Sequence, residues 1–323
     1  MKRLMVVGVC IVGFVSVVLF FQATKQTSTL PSFILENSIR TEEPWTLVAT
    51  GDVIPARSVN TQTIKRNDFT WGWKNIAPIL QQGDITLINL ESPLLSNCVP
   101  TDEGMKFCGD ARHVEGIVFA GVDVVSLANN HAGNYGIEGI LETIEILKMN
   151  GLPVTGTDTQ PYSTTVKNIR VGFLAYNDIG YKEQGIAWAD EELMKKEIQE
   201  TKEKSDVVVV SMSWGVEYEA NPSMRQQELA HAAVDAGADL IIGNHPHWIQ
   251  PTEKYKDGFI TYAHGNTIFD QMWSEETKIG VIGKYTFVGK KLETVEFIPI
   301  YIQEYGQPIL LQGAAKEKIV RQF

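Results

Sequence analysis

Two histidines flanking a proline, His245-Pro246-His247, are the side chains in this sequence best spaced to hold an ion. Residues at i and i+2 of an extended chain point to one side, so both imidazoles can grip one cation or oxyanion. Other strand-like runs close on similar groups: Gly51-Asp52, Asn89-Leu90-Glu91, Asn129-Asn130-His131, Ser213-Trp214-Gly215 and His264-Gly265-Asn266. Carboxylate, amide oxygen and imidazole together suit Mn, Fe, Zn or Mg. Two adjacent ions of that kind would stabilise the attacking and leaving oxygens of a displacement at phosphorus, with His131 available to protonate the leaving group. Each residue also has a plainer use. Asp52 after a glycine reads as a turn or cap residue, Glu91 as a cap on the next turn, and the Asn129-Asn130 pair as turn chemistry. Their recurrence in one register argues for a shared site, because chance would scatter such residues over strand starts and helix faces too.

The elements that must position these groups alternate. Short β-branched apolar runs cover residues 46–50, 85–89, 122–127, 171–176, 207–211, 240–243 and 260–263, and helical patterns cover 137–149, 191–204 and 226–236, the last closed by Gly237. Alternation of this kind predicts a layered α/β fold, and ligands in open α/β sheets sit beyond the carboxyl ends of the strands. Residues 281–302 read as strands without intervening helices, which suggests a second sheet packed on the first.

The chain has 323 residues, 44% hydrophobic and 21% charged, with a net charge of −11. That is a globular composition. The acidic balance excludes a surface devoted to nucleic acid, which needs excess Lys and Arg, and an acidic polymer would be repelled unless a local basic patch or a metal ion met it. Lys2 and Arg3 precede an uninterrupted apolar run from Leu4 to Phe21, long enough to cross a hydrocarbon core. The positive-inside rule then exports everything after Lys25. An uncleaved anchor is favoured over a cleaved signal because the candidate cleavage residue, Ala23, has bulky Phe21 two positions before it. The expected organisation is an anchor over residues 1–25, a polar tether over 26–44, a folded domain over 45–305 and a tail over 306–323. Cys98 and Cys108 flank a loop-like stretch; in an oxidising compartment they read as a disulfide, with metal ligation as the weaker rival.

The segments Ala49–Arg57 (ATGDVIPAR), Asn89–Glu91 (NLE), Ser126–His131 (SLANNH), Ser213–Tyr218 (SWGVEY), Gly243–His247 (GNHPH) and Tyr262–Asn266 (YAHGN) resemble, in order, the signature of the CapA family of capsule and poly-γ-glutamate synthesis proteins. The resemblance runs from about Trp45 to Ile302. It implies a calcineurin-like metallophosphatase scaffold, a four-layer αββα sandwich, and a role in making, exporting or anchoring poly-γ-glutamate or another capsule polymer. Carried over by position, it makes Asp52, Glu91, Asn130, His245 and His247 metal ligands and His131 the acid-base residue, with Arg57 and Glu217 lining the site; a solvated surface pair is the plainer reading of those last two. The expected partners are an anionic capsule polymer or the membrane proteins that synthesise and export it. Two positions depart from the family pattern: Ser213 stands where histidine is usual, and His264 where an aliphatic residue is usual. Serine is a feeble ligand for a divalent ion. His264 could take the missing ligand's place, or could instead hydrogen-bond to a loop carbonyl. A non-catalytic accessory with a decayed metal site and a general extracellular phosphoesterase are the alternatives to a capsule enzyme.

Overall fold

The computed structural model describes residues 42–158 and 161–323. Its elements run β1 (Pro44–Val53), α1 (Ser58–Arg66), α2 (Ala77–Leu80), β2 (Ile85–Leu90), β3 (Leu94–Leu95), β4 (Gly109–Asp110), α3 (His113–Phe119), β5 (Val124–Ser126), α4 (Gly136–Met149) and β6 (Val154–Thr155). The chain continues through β7 (Tyr162–Val166), β8 (Ile169–Asn177), α5 (Glu191–Lys202), β9 (Val207–Ser213), α6 (Met224–Asp235), β10 (Leu240–Asn244), β11 (Ile249–Tyr255) and β12 (Gly258–His264). It closes with β13 (Asn266–Ile268), β14 (Ile279–Val288), β15 (Lys291–Gln303), β16 (Gln307–Leu310) and α7 (Gly313–Val320).

Two sheets carry the fold. One has the order β16-β15-β14-β1-β2-β5-β6, with β13 added against the end of β1, and the other has the order β11-β12-β10-β9-β8-β7. Their central strands are parallel and buried on both faces, which is why β9 reads as the unbroken run Val207-Val-Val-Val210. Alternate residues of one strand enter different cores. Val48, Ile88 and Val125 pack against helix residues Leu80, Ile117, Ile140 and Leu147. Their neighbours Leu47, Leu87 and Val124 meet Phe173, Val207, Val209 and Ile242 of the other sheet. Val208, Val210 and Ile241 then face Met194, Ile198, Leu229 and Ala233 of α5 and α6. Three cores separate four layers in the order helix, sheet, sheet, helix.

Local chemistry fixes the helix ends. Asp190 caps α5 by accepting from Leu193 N–H, and Ser223 with Gln226 forms a capping box on α6. Gly237 after α6 takes φ 114°, a conformation that favours glycine.

Two expectations are corrected. Residues 281–302 do not open a second sheet: β14 pairs antiparallel with β1 and extends the first one. The second sheet is built from β7 to β12, because the runs at 171, 207, 240 and 260 pair among themselves. Residues 306–323 are not a tail: β16 pairs with β15, Ile319 of α7 is buried, and Phe323 stacks on Phe297 with ring centroids 4.0 Å apart. The apolar amino-terminal run and the tether as far as Thr41 lie outside the described residues. Among the described residues no helix is long and apolar enough to cross a membrane.

Candidate metal centre

The carboxyl ends of β1, β2, β5 and β10 deliver their polar residues to one buried cluster. At β1 the delivery depends on a close approach. A Cβ on Gly51 would lie 1.9 Å from the carbonyl oxygen of Gly265, so only glycine lets Asp52 N–H reach that oxygen at 3.0 Å. Asp52 is fully buried and its two oxygens organise the centre. They accept from His245 N–H at 3.1 and 3.3 Å, from Asn89 Nδ2 at 3.1 Å and from His247 Nδ1 at 3.0 Å. Burial pushes the Asp52 carboxyl up, but the hydrogen bonds and the charge of His247 outweigh it and hold the group below the usual carboxylate range.

Glu91, His245 and His247 form a trio that could hold a metal ion. Their ligand atoms lie within 4.8 Å of one another, and all three residues are buried. Glu91 Oε1 and His245 Nδ1 have no hydrogen-bond partner. Burial first, and then the Asp52 and Glu217 carboxylates, push the Glu91 carboxyl well above its ordinary value. Burial, followed by neighbouring His247, pushes His245 down to about 3. Buried acceptors left unpaired are costly, so this donor set fits a divalent cation: two imidazoles and a carboxylate with free lone pairs, a combination borderline metals accept.

The tautomer of His247 can be read from its neighbours. Asn266 Nδ2 donates to the Thr277 carbonyl at 2.9 Å and to Gln271 Oε1 at 3.0 Å, so its Oδ1 faces His247 Nδ1, 2.9 Å away. With a carboxylate and an amide oxygen as partners, Nδ1 carries the proton, and Nε2 keeps the lone pair for a metal. Both imidazoles sit on left-handed backbone, φ 91° at His245 and 58° at His247. Such conformations cost of order 1–3 kcal/mol each and survive where surrounding bonds over-determine them; Asp52 does so here.

The remaining expected residues fall into place differently. Asn130 keeps its side-chain oxygen buried and unpartnered. His131 is buried, with Nδ1 3.0 Å from Asn134 Oδ1, and burial lowers its basicity ahead of every other influence. Glu217 is half-buried, and its charge acts on both Glu91 and His131. Arg57 is no solvated surface group: it is 8% exposed, takes φ 49°, and its guanidinium bonds Asp270 between the rings of Phe107 and Phe269. Its Nε and both Nη groups donate to Asp270 and to the Gly104 carbonyl, so Arg57 ties loops together beside His131.

Asp52 is not one of the trio, and its oxygens accept from His245, His247 and Asn89. His264 differs from expectation. His264 has turned into the interface between the sheets, where its Nε2 lies 2.8 Å from Tyr285 Oη and Phe297 meets it edge-on. It does not replace the histidine missing at Ser213, because the space behind β12 is filled by aromatic rings of the other sheet. Ser213 is buried with its hydroxyl unpartnered.

Asn89 and Asn266 carried no role of their own in the sequence, Asn129 only that of a turn residue, and Asp270 none. Asn89 donates to both Asp52 and Glu91, and Asn129 donates to Asn89 Oδ1 at 3.1 Å and caps the turn carrying His131 and Ala132. These asparagines lay inside the strand-end motifs, where an amide next to each ligand was the available signal. Asp270 had none.

The family profile described as "Bacterial capsule synthesis protein PGA_cap" matches residues 46–271. The chain belongs to this family. It is 31% identical over 305 residues to "Capsule biosynthesis protein CapA" of Bacillus anthracis, covering 88% of this chain and 74% of that protein. It is 29% identical over 286 residues to "PGA biosynthesis protein CapA" of Bacillus subtilis, covering 84% and 75%. Among solved structures, a phosphatase from Mycoplasma pneumoniae superposes with a TM-score of 0.56 at 12% identity, covering 86% of this chain and 97% of that one; at that identity the likeness speaks for the fold. The matched span contains all three residues of the buried trio.

Proposed function

We propose that this chain is a membrane-anchored, extracytoplasmic protein of capsule or poly-γ-glutamate biosynthesis, with a metal-dependent hydrolase-like site. The carrying observation is the trio Glu91, His245 and His247, buried with ligand atoms converging and with two of them unpartnered. Membership of the capsule synthesis family supports the pathway. The apolar run from Leu4 to Phe21, led by Lys2 and Arg3, supports the anchor and the outward orientation. The partners are then the anionic polymer and the membrane proteins that make or export it.

Glu91, His245 and His247 would hold the ion, Mn, Fe, Zn or Mg. When bound, it supplies Lewis-acid polarisation of a substrate oxygen and a positive charge to meet an acidic polymer that the net charge of −11 would repel. Asp52 and Asn266 fix the direction of His247, Asn89 fixes Glu91, and His131 holds the proton for the leaving group. Metal analysis of the purified full chain, and polymer yield in a strain carrying Asp52→Ala with His245→Ala, test this reading. Stoichiometric metal and a lowered yield are expected; absence of metal together with unchanged yield would sink it.

Ser213 favours a second reading, a non-catalytic accessory whose site has decayed. Full complementation of a deletion strain by the ligand variants would select it.

A further inference from the structure

The segment between Cys98 and Cys108 is closed by a disulfide, with Cα atoms 5.8 Å apart, and it reaches His131 by a chain of contacts. Phe107, next to the bridge, stacks on the His131 ring with centroids 4.1 Å apart. Its backbone N–H donates to Asn134 Oδ1 at 2.7 Å, and the same oxygen lies 3.0 Å from His131 Nδ1. Gly104, within the loop, accepts from Arg57, whose guanidinium lies 4.9 Å from the Phe107 ring centre.

These contacts decide a tautomer. A backbone N–H only donates, so the Asn134 atom facing Phe107 is its oxygen. An amide oxygen only accepts, so the proton between Asn134 and His131 belongs to Nδ1. Rotating the Asn134 amide by half a turn would set its NH2 against the Phe107 N–H, donor to donor. The loop therefore prevents the flip that would move the proton to Nε2.

We propose that Asn134 is a positioning residue that holds the proton on His131 Nδ1 and leaves Nε2 as the ring atom that takes up the proton later delivered to the leaving group, and that the disulfide-closed loop locks Asn134 in that orientation. The use of this tautomer in turnover rests on the hydrolytic reading above; the tautomer itself does not.

The test is a long-range proton–nitrogen correlation spectrum of the full chain labelled with 15N-histidine, at pH 8, with His131 assigned by comparison with His131→Asn. Wild type and Asn134→Asp should show the Nδ1–H pattern, and Asn134→Ala should lose it for a mixture or for Nε2–H. An Nε2–H pattern in wild type, or an Nδ1–H pattern that persists in Asn134→Ala, overturns the assignment. Reducing the folded wild-type protein with a phosphine, thiols confirmed by mass, should shift His131 toward a mixture; an unchanged spectrum removes the loop's locking role. The spectrum needs neither substrate nor metal, so a failure of the hydrolytic reading would show in metal content and polymer yield and leave this result standing.

Discussion

The loops after β10 and β12 look alike as sequence, yet one brings its imidazoles to the candidate metal centre and the other does not. His245 and His247 leave extended backbone for φ 91° and 58° and turn toward Asp52. His264 stays within β12 and is held by Tyr285 between the sheets, so the side chain this loop brings to His247 is that of Asn266. A polar residue at a strand end is thus located by the topology, while its direction depends on backbone sign and on what fills the space behind it.

The largest effect expected from breaking this contrast is at β10. His245→Ala should abolish stoichiometric metal, and elemental analysis showing equal content in variant and wild type would refute the trio. Asn266→Ala frees His247 to rotate and should weaken metal affinity about 10–100-fold; calorimetric titration with Mn2+ or Zn2+ measures it, and an unchanged constant would mean that Asp52 alone suffices. His264→Leu should keep full metal content and alter stability by no more than about 1.5 kcal/mol, since Tyr285 still lies within hydrogen-bond reach of Thr261. A loss of metal in that variant would restore His264 to the site.

The smallest effect is a pH dependence. Burial pushes His264 down to about 4, whereas an unfolded histidine titrates near 6.5. Between those values the unfolded chain binds a proton that the folded one refuses, so this histidine costs stability as pH falls from about 6.5 to about 4. Above 6.5 its contribution is flat. Denaturation of wild type and His264→Leu across that window should show the stability difference moving against wild type on acidification; parallel curves would contradict the burial.

Strands with a continuous apolar run were legible because double-sided burial removes alternation, as at Val207–Val210. Glu91, His245 and His247 were legible as strand-end chemistry, and they meet as that register implies. The assignment of 281–302 to its own sheet failed because pairing partners so distant in sequence leave no local mark: β14 chooses β1 through tertiary packing. Arg57 was hidden for a similar reason. Its partner Asp270 lies 213 residues away, and only the fold brings Phe107 and Phe269 to either side of it.

The placement of β14 to β16 also sets a clock. Thr46, among the first residues of the domain, sits opposite Thr286, 240 residues later, and Phe323 at the very end closes on Phe297. The first sheet cannot close before β14 to β16 have been made, and pairings this distant form slowly.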